Sequence, residues 1–260
     1  MNDLEGIINS SKHQIKNVDY LEFCHDSLKK NSVLILDDFL TNSCINEIKK
    51  EALSLENKAY YCIQNHTILL NKYDSNLNNN DPTNIEVVSN KGCVPHDQIN
   101  PNSYLNKIYN SENFKLFLTN IIGVKKLYSY QDPLSSINYN YYQNNQQLGW
   151  HFDNASFAIT LLVQSSDEGG IFEYVNSGRD YNNSYIDKEY ISKVMNNKID
   201  ANKILADPGT LILFYGRNYL HRVTPVKSKK PRILVTLNYN EEEGIELSEN
   251  ARLTFFGRTE

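Results

Sequence analysis

The chain has 260 residues, 40% of them hydrophobic, with 18 Tyr and 10 Phe, enough apolar bulk for one large core in a single domain. Its 26 basic and 31 acidic side chains leave a net charge of −5 without long like-sign runs, which excludes the basic face that grips nucleic acid. No apolar run reaches membrane-spanning length and the opening MNDLEGIINSSKHQIKN is too polar for a signal peptide, so a cytoplasmic protein without a membrane partner is expected.

In chain order, Ser32–Leu40 reads as a strand, and Thr41-Asn42 then offers an N-cap for an amphipathic helix to about Leu55. Residues 72–92, with a polar Asn run and Pro82, read as an irregular connection. Tyr104, Leu105, Ile108, Tyr109, Phe114 and Leu118 are spaced as one helix. After residue 130 the pattern changes to short alternating runs: Ser136–Tyr142, Ser156–Gln164, Gly170–Val175, Gly209–Tyr215, Leu220–Pro225 and Arg232–Tyr239. Turn signals at Glu168-Gly169-Gly170, Asp207-Pro208-Gly209 and Gly216-Arg217-Asn218 separate several of them. Many short strands of similar size predict a mainly β fold, a jelly-roll or cupin-like core with flanking helices. Residues 1–130 are then a mostly helical buttress and 131–260 the jelly-roll core. Ile186, Tyr190, Ile191, Val194 and Met195 recur at helical spacing, so 181–199 reads as an insertion suited to a lid.

The chemistry concentrates in four residues. His151 and Asp153 lie two apart in Gly149-Trp150-His151-Phe152-Asp153-Asn154, so on a strand they share a face. His221 would bring a second imidazole from a distant strand. Two histidines and one carboxylate on one face of a metal are the ligand set of non-haem Fe(II) oxygenases. Arg232 follows eleven residues after His221 and opens the apolar run Ile233–Leu237, where an unpaired inward charge is costly. Its rigid fork suits a carboxylate. Each member alone has a bland reading: a lone strand histidine is more often a hydrogen-bonded structural residue. Together, in this order, they point to a metal site. Cys62-x-x-x-His66 and Cys93-x-x-His96 lack finger spacing, and cysteine is commonly a small buried hydrophobe.

The run from about residue 134 to 240 resembles the Fe(II)/2-oxoglutarate-dependent dioxygenases of the His-x-Asp…His…Arg type. Leu148–Asp153, Glu168–Tyr174, Pro208–Leu211, Gly216-Arg217 and His221–Pro225 carry the resemblance. Val33–Leu55 and Phe255-Phe256-Gly257-Arg258 extend it to most of the chain. It is similar above all to the branch that contains free-amino-acid halogenases and their hydroxylating relatives. The resemblance implies Fe(II) on His151, Asp153 and His221, and 2-oxoglutarate chelating that iron with its far carboxylate on Arg232. It also implies Asn140 and Tyr142 as contacts of the same cosubstrate, and O2 as the second cosubstrate. An ordinary Tyr-rich strand is the competing reading of Asn138–Tyr142.

Halogenating members lack the carboxylate that stands here as Asp153 and seat a halide in its position. The resemblance therefore favours hydroxylation over halogenation; desaturation, ring closure or epoxidation would use the same ligands and stay open. Thr236, Asn238 and Phe256 match substrate-contacting positions of the branch, and Asn154 follows the metal aspartate. Where the branch holds a basic amino acid with charged residues, this chain has Leu148 and Asn154, which weighs against a lysine-like substrate. The expected substrate is small and polar, a free amino acid or a derivative. His96-Asp97-Gln98-Ile99 matches a short motif at the active-site mouth, while Arg217 and Arg222 read most simply as surface or sheet-end charges, with a substrate carboxylate as the alternative partner of either. Two alternatives remain: a peptide or protein hydroxylase with an open groove, and a cupin-like protein that binds metal without turnover.

Overall fold

The computed structural model describes residues 4–78 and 80–260. Its first half contains α1 (Val18–Asn31), β1 (Val33–Leu36), α2 (Asn42–Leu55), β2 (Tyr60–Thr67), β3 (Glu86–Val94), α3 (Tyr104–Asn110), α4 (Glu112–Ile122) and β4 (Tyr128–Ser129). The second contains β5 (Ile137–Tyr142), β6 (Leu148–His151), β7 (Ala158–Gln164), β8 (Phe172–Asp180), β9 (Tyr185–Ile186), α5 (Lys188–Met195), β10 (Asn202–Ile204), β11 (Leu211–Phe214), β12 (Tyr219–Val223), β13 (Arg232–Leu237), β14 (Tyr239–Asn240) and α6 (Glu249–Phe256).

The larger sheet runs β1-β11-β7-β13-β5-β3-β2, and the smaller runs β10-β8-β12-β6 with β9 on β8. Both are antiparallel, and a cavity lies between them lined from each. This is the expected jelly-roll core. Alternation divides the larger sheet's two faces. Tyr139, Tyr141, Ile233 and Val235 point outward into the core that β5 and β13 share with α2, α3 and α4. Asn140, Tyr142, Arg232, Leu234 and Thr236 point inward to the cavity.

Local chemistry sets the helix ends. The Thr41 hydroxyl accepts from the Cys44 N–H and starts α2, whose Cys44, Ile45, Ile48, Ala52 and Leu55 bury one stripe. The single helix expected from Tyr104 is broken at Ser111, which adopts extended geometry and whose Oγ accepts from the Phe114 N–H. That bond caps α4 and ends α3.

Two expectations are corrected. The stretch 72–92 is not wholly irregular: Glu86 opens β3, and β2 pairs with β3 in continuous register from Tyr60↔Cys93 to Thr67↔Glu86. The first half is therefore less helical than its pattern suggested, because this hairpin extends the larger sheet with polar residues facing inward. The 181–199 segment is not a lid. An amphipathic helix must bury its apolar stripe, and α5 buries Ile191 and Val194 with Trp150, Phe152, Val175 and Leu220. Those four point away from the cavity, opposite to His151 and His221, and no residue of 181–199 lines it.

Since α5 braces the outer face of the smaller sheet, Ile191→Ala should cost about 2–5 kcal/mol of stability. Urea unfolding measures this; a change below about 0.5 kcal/mol, the size of an ordinary surface substitution, would contradict the packing role.

Candidate active site

His151 closes β6 and His221 lies in β12, where the two are direct cross-strand partners with ring centroids 4.1 Å apart. Each Nδ1 meets a backbone carbonyl two residues back: Gly149 O at 2.8 Å for His151 and Tyr219 O at 2.9 Å for His221. A carbonyl oxygen only accepts, so both Nδ1 atoms carry the proton and both Nε2 atoms present lone pairs. Asp153 Oδ1 stands 3.3 Å from His151 Nε2 and 3.5 Å from His221 Nε2. All three donor atoms lie within 4.8 Å of one another.

Burial and the neighbouring His221 hold the His151 imidazole below its usual pKa, which favours the neutral, metal-binding form. For Asp153, burial raises the pKa, but with no metal bound a proton held by a facing imidazole more than reverses it and leaves the carboxyl well below the ordinary range. Two lone pairs and a carboxylate aimed at one point repel unless a cation lies among them. The donor set therefore fits a divalent metal, and its open opposite side fits Fe(II) in a non-haem oxygenase.

Asp153 lies just beyond the end of β6 rather than within it. Its N–H donates to Gly216 O at 3.0 Å, which anchors it to the loop after β11. Gly216 also leaves the space its carboxylate needs: a Cβ there would stand 1.8 Å from Asp153 Oδ2. A hydrogen-bonded chain backs the other side. Thr67 O accepts from His66 Nδ1, so His66 Nε2 accepts from Ser89 Oγ at 2.6 Å. Ser89 Oγ in turn accepts from Gly149 N–H, and Gly149 O orients His151.

Arg232 is buried, its guanidinium carbon 5.5 Å from the centre of the Tyr142 ring opposite it in the register. Burial lowers its pKa, and among the described residues no carboxylate pairs with it. Its Nη1 is buried without a hydrogen-bond partner. A buried guanidinium with an unused donor is costly to keep, and a carboxylate arriving in the cavity would satisfy it. Gly170, at φ +64°, leaves room for its stem: a Cβ there would stand 3.0 Å from Arg232 Cδ.

The metal-facing chamber has a volume of about 250 Å³ and takes in His151, Asp153, His221, Arg232, Asn140 and Tyr142. A second chamber of about 210 Å³ adjoins it, sharing Lys91, Asn140, Thr236 and Phe255. Of the expected substrate contacts, Thr236 lines both chambers, and Asn238 and Phe256 only the second. Asn154 is exposed and lines neither: with Asp153 turned inward, the next residue turns out, and its carbonyl accepts from Arg217. The Asn140 amide is already engaged, accepting from Lys91 Nζ at 2.6 Å and donating to Asn138 O. His96 bonds Asn106 and Arg222 bonds Glu173, so neither reaches the chambers.

Sequence reading missed the wall built by β2 and β3. Cys62, Gln64 and His66 from one strand, and Ser89 and Lys91 from the other, line the metal-facing chamber. The period of two in Ser89-x-Lys91-x-Cys93 was the available signal.

A family model described as Halogenase D matches residues 17–252. No curated protein matches the chain. Among solved structures, an oxidoreductase of the 2OG-Fe(II) oxygenase family from Burkholderia pseudomallei superposes with a TM-score of 0.54 at 12% identity, covering 87% of this chain and 93% of that one. The non-heme alpha ketoglutarate dependent epimerase SnoN from nogalamycin biosynthesis gives 0.58 at 11% identity, over 86% and 81%. A Pseudomonas putida prolyl-4-hydroxylase gives 0.51 at 12% identity, over 83% and 96%. The chain thus belongs to the Halogenase D family and has the fold of the Fe(II)/2-oxoglutarate-dependent oxygenases, a class that works with Fe(II), 2-oxoglutarate and O2.

Proposed function

We propose that the protein is a hydroxylase that converts O2 and 2-oxoglutarate to CO2 and succinate while inserting one oxygen atom into a C–H bond of a small substrate. The observation that carries this reading is Asp153. Its Oδ1 meets both imidazole Nε2 atoms at 3.3 and 3.5 Å, so the position a halide would need is filled by protein.

In this reading His151, Asp153 and His221 hold the iron, and the iron supplies the oxidising power for C–H cleavage. The chain's own residues position and exclude. Gly149 O and Tyr219 O fix the imidazole tautomers. Arg232 Nη1, buried and unpaired, takes the far carboxylate of 2-oxoglutarate, with Tyr142 packed beside the guanidinium. Asn140, whose amide is engaged by Lys91 and Asn138, shapes the floor between the two chambers. Phe172 and Phe214 pack at 5.6 and 4.9 Å from the His221 ring and keep that side dry.

Against metal binding without turnover stands Arg232, a buried cation that a passive metal module does not need. Against a peptide substrate stands the enclosure of the cavity by β2 and Phe255 and its volume of about 250 Å³. A free amino acid or a derivative of similar size suits that space.

Purified protein with Fe(II), 2-oxoglutarate, air and an amino-acid panel should yield a product heavier by one oxygen, and no chlorinated product in excess chloride. A chlorine-bearing product from the wild-type protein would sink the hydroxylase reading. His151→Ala should abolish Fe(II)-dependent succinate formation, and Arg232→Ala should weaken 2-oxoglutarate binding by about thirtyfold or more. Normal turnover in either variant would rule out these roles. Gly216→Ala, whose methyl collides with Asp153 Oδ2, should weaken Fe(II) binding by about 10–100-fold in an anaerobic titration. Wild-type affinity there would mean that the carboxylate does not hold the metal.

A further inference from the structure

Lys91 is the cation that the roles above leave unexplained. It lies on β3 directly beside Tyr142 of β5, which pairs in turn with Arg232 of β13, so one row of the sheet carries two inward cations flanking a tyrosine. The two point to different places. Of these two chambers Arg232 lines only the metal-facing one, whereas Lys91 lines both, at the passage between them. Its Nζ stands 5.4 Å from the centre of the Phe255 ring, on the side where α6 closes the second chamber.

The ammonium is poorly compensated. It has three donors; one goes to Asn140 Oδ1 at 2.6 Å, and no second acceptor is recorded among the described residues. Among the described residues no carboxylate lies within ion-pair distance of it. Burial disfavours the charged form, but the coulombic influence of the surrounding Tyr142, Cys93, Cys62 and Asp153 sites outweighs this and raises its pKa. A cation facing a cavity with two idle donors and no counter-ion is ready-made for an anion.

The rest of the lining constrains what that anion is attached to. Among the described residues, Asp153 is the only carboxylate on either chamber wall, and it already faces the two imidazoles. Beyond Lys91 the second chamber offers Asn138, Asn140, Thr236 and Asn238 as neutral polar groups, with Leu247 and Phe256 as apolar ones. Nothing there would neutralise a second cationic group on a ligand.

We infer that Lys91 anchors the carboxylate of the substrate, and that the substrate is a monocarboxylic acid whose remaining side chain carries no positive charge. The assignment rests on the oxygenase reading above and extends it to a substrate class: basic amino acids are rejected for want of a partner, and acids with an uncharged remainder are taken.

The test is calorimetric binding to protein loaded with Zn(II) and 2-oxoglutarate, which prevents turnover. The probes are L-norleucine, L-phenylalanine and hexanoate, each against its carboxamide, with L-lysine as the basic comparison. Expected are binding of at least one acid, weakening by about thirtyfold or more in its carboxamide, and no comparable binding of L-lysine. Lys91→Gln keeps a donor for Asn140 and removes the charge. It should bind 2-oxoglutarate as the wild type does while losing the acid-over-amide preference, and Lys91→Arg should restore that preference. Four outcomes overturn the assignment: L-lysine binding most tightly, an unchanged preference in Lys91→Gln, loss of 2-oxoglutarate binding in that variant, or no acid bound by the loaded wild type. Failure of the wild type to bind 2-oxoglutarate at all would overturn the oxygenase reading as well, and so separates the two.

Discussion

Two imidazole lone pairs and a carboxylate turned toward one point are the constraint on which the rest of the site depends. Among the described residues no Lys or Arg forms an ion pair with Asp153, and both Nδ1 protons are already given to backbone carbonyls. The fold holds the donors together against their mutual repulsion, and a divalent cation converts that cost into affinity. Cross-strand pairing of His151 with His221 brings the imidazoles side by side, tilted by 51°, and the Gly216 loop brings in the carboxylate. The smaller sheet is therefore built around the metal position, with Trp150 and Phe152 locking its outer face to α5.

The larger sheet does a different task with the same alternation. Across β5, β7, β11 and β13 its outer face is apolar and buried in the main core, while its inner face carries Arg232, Tyr142, Asn140, Thr236 and Lys91. In the proposed reading ligands complete those charges, with Arg232 on the metal-facing side serving the cosubstrate and Lys91 at the passage serving the substrate. Family membership under the name Halogenase D and retention of Asp153 are compatible in the proposed reading, in which that carboxylate fills the position a halide would need.

How much of this was legible in the sequence depended on whether side-chain period and burial agreed. In β13 and β11 they agree: apolar runs flanked by turns read as strands, and Arg232 stood out as a charge in apolar surroundings. The grouping of His151, Asp153 and His221 was legible because residue types able to bind a metal are few and their spacing is tied to strand geometry. In β2 and β3 the usual sign is inverted: polar residues such as Gln64 and Lys91 face inward, while Ile63 is 76% exposed. Hydrophobic alternation therefore could not reveal the hairpin. The helical spacing in 181–199 identified α5 correctly, but amphipathicity says only that one face is covered, not by what. Its partner proved to be the back of the smaller sheet. Asn154 illustrates the same limit at one residue: adjacency to a ligand in sequence placed it on the opposite side in space.

The most direct single measurement is the X-ray absorption spectrum of the anaerobic Fe(II)–2-oxoglutarate protein in concentrated chloride. With Asp153 holding its coordination position, the first shell should consist of nitrogen and oxygen scatterers alone. A chlorine scatterer at bonding distance from iron would contradict that occupancy, and with it the preference for oxygen insertion.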